Sequence, residues 1–324
     1  MKQQSLASLT YEWMKKRTKR EIFLNEMERV MPWERLEALI EPHYPKVGKG
    51  RPPRGLKVML RIYCLQQWYG LSDPGVEEAL YDMESMRRFA GLELGEDVIP
   101  DETTVLNFRH LLEEHNLASA VFESVKAYLG EQGLLLSGGS IVDATIIHAP
   151  SSTKNQRRER DPEIPSGAQV SSTKKGNTWH FGMKAHISVD ANSGLVHTVG
   201  VTTARDHDNS VISELIREDD RAIFGDKGYA SDQTKRAARQ AHVYWAVWDK
   251  AKRNRKLSGS QCKRNKKHAS VRAKVEHVFR VLKCQFGYRK TRYKGLAKNA
   301  SQVFSLMALA NLYQARGQLL AMAG

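Results

Sequence analysis

The sequence predicts an α+β or α/β protein with an all-helical part over residues 1–135 and a mixed-sheet part over residues 136–324. Apolar residues recur at helical spacing from the N-terminus to about Leu129. From Ser140 onward, short β-branched runs alternate with helical patterns, which is typical of a mixed sheet covered by helices. A chain of 324 residues is long enough to form two cores.

The helical half contains one strongly apolar helix and one clear helix start. Residues 56–65 are apolar nearly all round, which predicts a buried helix. The pattern breaks at residues 69–73 and resumes over residues 76–89, so the pair fits either a helix-turn-helix DNA reader or a purely structural hairpin. Asp101 is predicted to cap a helix that runs to His115.

The second half reads as a series of short elements. The predicted strands cover residues 141–147, 180–190, 195–202, 222–226 and 243–248, with a turn at residues 192–194. The predicted helices cover residues 209–217, 271–283 and 301–314. Residues 150–178 are polar and are predicted to form a mobile loop.

The positive charge of the chain is concentrated in one segment. The net charge is +15, and residues 249–298 hold 18 Lys and Arg against two acids, so the rest is close to neutral. Such a segment predicts a polyanion-binding surface, with a solvated basic tail as the alternative. Interleaved aromatic residues and an apolar helical stripe favour nucleic-acid binding.

Composition excludes several other classes. No apolar run reaches the roughly 20 residues that a membrane-spanning helix needs, and no N-terminal signal segment is visible. The three cysteines have no paired spacing, which argues against a disulfide framework and a cysteine zinc site. We therefore expect a cytoplasmic protein without a membrane partner.

An aspartate interrupts the apolar strand at residues 141–147. Burying a carboxylate costs several kcal/mol unless a cation or hydrogen bonds compensate. Alternation along the strand puts Asp143 on one face with Ile141 and Thr145. A bound cation would explain this position, and so would a neighbouring arginine or a capped turn.

A second aspartate ends another apolar strand. Asp226 follows residues 222–225 and precedes Gly228, which permits a tight turn. Carboxylates at the ends of central strands are where α/β folds place chemistry, although such turns also occur without a function.

A glutamate on the basic helix is the third candidate. At about 100° per residue, Glu276 shares one narrow stripe with three basic side chains. These are Arg272, Arg280 and Lys283, and the adjoining apolar stripe is Val271, Val275, Val278 and Leu282. The alternative is an ordinary ladder of surface ion pairs.

Together the three carboxylates suit a hard divalent cation, Mg²⁺ or Mn²⁺ as its substitute. Two such ions support in-line attack on a phosphodiester. Nearby basic side chains would then bind the flanking phosphates. The candidates are Arg272, Arg280, Lys283, Arg289, Lys290, Arg292 and Lys294.

Short residue runs along nearly the whole chain carry a resemblance to a known family. In the N-terminal half they are residues 20–24, 60–62, 68–69, 100–101, 103–104 and 107–112. Later in the chain they are residues 142–147, 149–155, 160–163, 179–186, 226–229, 275–277 and 292–296. With these runs the chain resembles the insertion-sequence transposases of the IS-five group, which implies a bacterial protein associated with the nucleoid.

The resemblance implies a ribonuclease-H-like catalytic domain in which Asp143, Asp226 and Glu276 are the DDE triad. It also implies that Arg272 and Lys283 act on DNA phosphates. More distant relatives carry a tyrosine three residues before that arginine, where this chain has Ala269. Enzymes of this group cut double-stranded DNA at terminal inverted repeats and join the 3′-hydroxyl to target DNA. They generally act as homo-oligomers that pair two DNA ends.

Other residues have competing interpretations. Lys184 alternates with His180 and His186 on one strand face, so it either reaches the scissile phosphate or is a satisfied core residue. Trp245 and Trp248 either stack on a base or belong to the core. The pair His207-Asp208 resembles the metal pair of HD phosphohydrolases, but its surroundings are not helical.

Three functions stay open from the residues alone. The first is a DDE transposase, and the second is a ribonuclease-H-like nuclease without strand transfer. The third is a DNA-binding protein that has lost catalysis, against which the intact set of three carboxylates argues.

Overall fold

The structure, a computed structural model, describes residues 16–48, 52–150, 172–175, 178–251 and 256–323. Its first half is helical. The helices are α1 (Lys19–Val30), α2 (Trp33–Ile40), α3 (Leu56–Tyr69), α4 (Asp73–Asp82), α5 (Glu84–Ala90), α6 (Glu102–Glu114) and α7 (Leu117–Glu131). Of these, α3 is buried nearly all round, as its apolar composition predicts.

Local signals set where these helices begin and end. Helix α3 ends at Gly70, whose positive φ of 62° is the left-handed conformation that glycine adopts at low cost. Helix α4 starts after Ser72, whose side chain accepts from the Gly75 amide. The predicted cap at Asp101 is confirmed, because its carboxylate accepts from the Thr104 amide at 2.7 Å.

The second half is built on one six-stranded mixed sheet. Its strands are β1 (Ser140–His148), β2 (Ser172–Lys175), β3 (Thr178–Asp190), β4 (Val196–Thr203), β5 (Ala222–Gly225) and β6 (Tyr244–Val247). The order is β2-β3-β1-β5-β6, and β4 also pairs with β3. Strand β3 is antiparallel to β1, β2 and β4, whereas β1, β5 and β6 are mutually parallel.

The remaining helices connect and cover this sheet. They are α8 (Ile212–Leu215), α9 (Asp232–Gln240), α10 (Gly259–Arg280) and α11 (Leu296–Ala323). Helix α10 packs on β1 and β5 and continues into a π-helical turn, Val281–Gln285. Its predicted apolar stripe packs as expected, since Val275, Val278 and Leu282 are fully buried.

Helix α11 links the two halves of the molecule. It packs on α7, α1 and α3 of the helical half and on β4 of the sheet. Asn311 lies in this contact, accepting from the Val196 amide and donating to the Val196 carbonyl. One apolar cluster therefore extends from α1 to α11 across residue 135, and the division at residues 135/136 stays a prediction.

Several element predictions need correction. The predicted helix at residues 271–283 starts at Gly259, where Ser258 and Gln261 form a capping box. Its first turns are polar and basic, so they lack the apolar spacing that reveals a helix. The predicted helix at residues 209–217 is instead a 3₁₀ turn, Asp208–Val211, followed by the four-residue α8.

Two further differences concern the polar segments. The predicted loop at residues 150–178 lies mostly outside the described residues, but Ser172–Lys175 forms β2 instead. Helix α9 has few apolar residues and was not predicted.

In the part of the chain that the structure describes, none of the helices is both long and apolar enough to cross a membrane.

Candidate active site

The parallel pairing of β1 and β5 brings two aspartates to the same level. In this register Val142 lies opposite Gly225, and the next residues along the two strands are Asp143 and Asp226. Gly225 fits closely here, because a Cβ on it would lie 3.0 Å from a Val142 methyl and 3.3 Å from a Val247 methyl. The two acids therefore follow the last paired residues of neighbouring strands.

Asp226 leaves its strand in a tight turn. Its side chain accepts from the Lys227 amide at 2.6 Å and caps the 3₁₀ turn Lys227–Tyr229. Tyr229 packs beneath with 1% of its surface exposed. Asp226 itself is half-buried, so its carboxylate is fixed by the backbone while remaining open to the cavity described next.

Helix α10 crosses the sheet face that carries Asp143 and closes a cavity of about 420 Å³. Glu276 is exposed on this helix and lines the cavity with both aspartates. The other lining residues are Ala144, Thr145, Arg272, Phe279, Arg280, Lys283 and Cys284. The stripe of α10 and the two aspartates of the sheet thus meet at one cavity.

Two basic side chains connect the helical wall of the cavity to strand β1. Arg272 donates to Asp143 Oδ2 at 3.0 Å, and its guanidinium lies 4.6 Å from the centroid of the Trp248 ring. Lys283 extends from the π-helical turn and donates to the Ile146 carbonyl on β1 at 3.0 Å. Both contacts tie α10 and its continuation to the strand that bears Asp143.

The electrostatics of Asp143 are dominated by burial. The pKa of its carboxyl is raised from 3.8 to about 6, chiefly by burial and to a smaller extent by nearby Glu276. Arg272 and the Ala144 amide, which donates at 2.8 Å, act in the opposite direction. The site therefore contains a carboxylate whose charge one arginine does not fully compensate.

The donor set suits a divalent cation, but the side chains do not form a coordination sphere as they stand. Carboxylate oxygens are the ligands that Mg²⁺ prefers. Within the described ranges, no three His, Cys, Asp or Glu side chains are close enough together to hold a metal. The three acids share a cavity wall, and joint ligation would require their side chains to turn.

The remaining basic candidates lie around or outside the cavity. Arg280 is exposed and lines it, while Arg289 and Lys290 are exposed where the chain pairs with His148 at the end of β1. Arg292 donates to the Leu71 carbonyl in the helical half, and Lys294 is exposed beside it in sequence. These side chains extend the basic surface beyond the carboxylates.

Lys184 lies on the opposite face of the sheet from Asp143. It pairs in register with Ile146, three positions from Asp143, and strand alternation therefore turns it away. Its ammonium is buried, with Asp206 and Asp208 as partners. This arrangement favours the interpretation as a satisfied core residue over direct contact with a scissile phosphate.

The two tryptophans lie in different environments. Trp245 packs against the apolar cluster on the far face, which favours a core role. Trp248 stacks on Arg272 instead, and its indole N–H is buried without an acceptor among the described residues. Sequence reasoning missed this arginine contact and the pairing of Asp208. The partners of each contact are far apart in sequence, so no local pattern predicts either contact.

Comparison with known proteins places the whole arrangement in a family. A family model described as Transposase DDE domain matches residues 136–312, which is more than half of the chain. A second model, described as Transposase domain (DUF772), matches residues 11–111 in the helical half. The first match spans the whole sheet and α10, and it supports the ribonuclease-H-like assignment of this fold. The chain belongs to the insertion-sequence DDE transposases, enzymes that cleave and transfer DNA in transposition.

Proposed function

We propose that this transposase cuts its insertion sequence at the terminal inverted repeats and joins the 3′-hydroxyl ends to target DNA. Asp143, Asp226 and Glu276 are its catalytic carboxylates in this proposal. The observation that carries it is the shared cavity, where Asp143 within β1 and Asp226 after β5 meet a helix glutamate beside three basic side chains. Within the family, we assign the chain to the IS-five group.

The reaction has two balanced steps. In the first, a water oxygen attacks the phosphorus at the element's end, and the bond from phosphorus to the 3′-oxygen breaks, leaving a 3′-hydroxyl. In the second, that hydroxyl attacks a target phosphodiester, and the target's own 3′-oxygen leaves with a proton. The first step replaces a phosphoester bond with a bond from phosphorus to the water oxygen and leaves a 5′-phosphate, and the second exchanges one phosphoester bond for another. No covalent protein intermediate is needed.

DDE transposases in general use divalent metal ions. We propose Mg²⁺, with Mn²⁺ as a substitute, held by Asp143, Asp226 and Glu276. When bound, such ions activate the attacking oxygen and stabilise the leaving oxygen. The protein's own contribution is to fix the carboxylates on two neighbouring strands of the sheet and on one packed helix, which limits their motion.

Basic side chains of this chain would hold the DNA. Arg272, Arg280 and Lys283 line the cavity and are placed to bind phosphates next to the cut. Arg289, Lys290, Arg292 and Lys294 would extend that contact along the duplex. Two protomers at least would be needed to pair the two ends of the element, so the proposal includes a homo-oligomer in the DNA complex.

The test uses the purified full chain, a labelled duplex that ends in the element's inverted repeat, and a plasmid target. The reactions contain Mg²⁺, Mn²⁺ or a chelator. Metal-dependent cleavage followed by joining supports the proposal. Cleavage without joining would replace it with a plain nuclease, and binding without cleavage would indicate a DNA-binding protein.

The variant Asp143→Asn tests whether DNA cleavage takes place at this cavity. We expect cleavage to fall by more than about 100-fold, beyond the loss typical of a residue that only supports a ligand, because a metal ligand is removed. Binding to the inverted repeat, measured by gel shift in chelator, should change little. Equal loss of binding and cleavage would contradict the role of Asp143 as a ligand. Asp219→Asn, at an exposed surface carboxylate, is the matched control.

A further inference from the structure

An ion pair between a buried lysine and a partly exposed aspartate lies on the sheet face opposite the cavity. Lys184 is 8% exposed, and its Nζ lies 3.0 Å from Asp208 Oδ1. The same ammonium donates to the Asp206 carbonyl at 2.6 Å. Removing two charges from water is unfavourable unless their geometry is good, and the proposed DNA chemistry uses neither group. The position of the pair therefore requires a reason of its own.

The pair lies directly behind the turn that carries Asp226. Asp208 begins the 3₁₀ turn Asp208–Val211, which packs against the 3₁₀ turn Lys227–Tyr229. The second oxygen of Asp208, Oδ2, is 3.3 Å from the position that a Cβ on Gly228 would take. The carboxylate therefore occupies the space beside Gly228 that any larger side chain would need.

The turn is held from its other side as well. The Tyr229 amide donates to the Asp226 carbonyl at 3.0 Å, and the Tyr229 ring is buried in the apolar cluster of this face. The Lys227 amide holds the Asp226 carboxylate itself. These contacts hold the backbone of residues 226–229, and the Asp208 carboxylate lies beside it at Gly228.

We propose that the Lys184–Asp208 pair is a positioning element for Asp226. Lys184 fixes the Asp208 carboxylate, and Asp208 in turn fixes Gly228, so that the neighbouring Asp226 faces the cavity. Neither residue touches DNA or the reacting atoms. This inference rests on the proposed function, because it presupposes that Asp226 is catalytic.

The first experiment measures cleavage by the full-length variant Asp208→Asn, which has nearly the shape of the parent but lacks the charge. We expect the single-turnover rate constant for end cleavage to fall about 10- to 100-fold, the range typical of partners that support a ligand. The dissociation constant for the inverted-repeat duplex should stay within about twofold. Lys184→Arg, which keeps the positive charge, should retain most of the rate, whereas Lys184→Gln should not.

A second ion pair in the sheet-containing half of the chain provides the matched control. Asp220 is paired with Arg217 at 3.2 Å and accepts from Ser140, away from the turn at residues 226–229. Asp220→Asn should lower thermal stability and leave the cleavage rate constant of the folded protein unchanged. A rate loss for Asp208→Asn no larger than that of this control would overturn the proposal.

Gly228→Ala tests the same contact without removing a buried charge, and it serves if Asp208→Asn fails to fold. Its methyl group requires Asp208 to move by a few tenths of an ångström. We expect a rate about tenfold lower, because small misplacements near a reacting group are costly. In an Asp208→Ala background the methyl group has room, so it should add little further loss. Multiplicative losses in the double variant would overturn the proposal.

Asp226→Asn, measured in parallel, separates this inference from the proposed function. If Asp226→Asn cleaves like the parent, the assignment of the catalytic carboxylates and the positioning role are both overturned. If Asp226→Asn is inactive while Asp208→Asn and Gly228→Ala cleave like the parent, the positioning role alone is overturned.

Discussion

At the scale of single residues, Asp143 is subject to opposing influences that the sequence cannot weigh. The strand pattern predicts a buried acid, and a cation, an arginine partner and a capped turn all stay open from the residues alone. The structure contains the arginine, yet burial still raises the pKa of Asp143 to about 6. An arginine partner and a cation site are therefore compatible at this position.

This shift in pKa predicts how stability depends on pH in a metal-free buffer. The folded pKa of Asp143 lies above its ordinary value, so its contribution to the free energy of unfolding is present below about pH 4. That contribution is lost as the pH rises through about 6. Asp143→Asn lacks the titration, and the free energy of unfolding of the parent relative to the variant should fall by about 2 kcal/mol between about pH 4.5 and 7.5. Urea denaturation with chelator measures it. A constant or rising difference would contradict the shift.

The contacts of Arg272 could not be predicted from its position in the sequence. Helical spacing predicts that it lies beside Glu276, and both line the cavity. Nothing in the spacing predicts that it bonds Asp143, which is 129 positions away, or stacks on Trp248. Such contacts depend on how α10 crosses the sheet, and the order of residues along one helix does not specify that crossing.

At the scale of elements, strongly patterned segments were predicted well. The strand at residues 141–147 and the hairpin of β3 and β4 carry clear alternation or apolar runs, and the structure confirms them. The first turns of α10 and the whole of α9 were missed because their exposed faces carry few apolar residues. The parallel register of β1 and β5 was also beyond prediction, although it brings Asp143 and Asp226 level.

One glycine in β3 is needed for the strand to pair with β1. Gly182 has a φ of +152°, and a Cβ there would collide with the Ile147 carbonyl oxygen and lie 2.9 Å from the Ala149 amide nitrogen. We expect Gly182→Ala to lower the free energy of unfolding by more than about 2 kcal/mol, in the range of strained backbone positions. Thermal denaturation measures it, with Gly194→Ala as a turn control. A loss no larger than that of the control would show that β1 and β3 adjust without cost.

At the scale of the whole molecule, helix α11 determines whether the two predicted domains are independent. It packs on the helical half and on β4, and Asn311 ties it to Val196. Because one apolar core spans both halves, we expect a single cooperative unfolding transition. Two calorimetric transitions, or a stable fragment of residues 1–135, would instead support independent domains.

The distribution of charge predicts how strongly the whole molecule depends on salt when it binds DNA. A protein that contacts six to ten phosphates loses roughly 10³- to 10⁵-fold in affinity between about 50 and 200 mM salt, because counterions are released. We expect this chain to fall in that range, since its positive surplus is concentrated in residues 249–298. Replacing Arg280, Arg289 and Lys290 with Gln should lower the slope of log affinity against log salt by about one unit per residue.

Helix α9 offers a control of equal charge outside that segment. Lys235, Arg236 and Arg239 are exposed there. Their replacement by Gln lowers the net charge of the molecule by three, as the first triple variant does. If binding depends on where the charges lie, this variant should keep the parent's slope when measured by fluorescence anisotropy. If both triple variants lower the slope equally, only the net charge matters. In that case the surface around the cavity would not be the place where DNA binds.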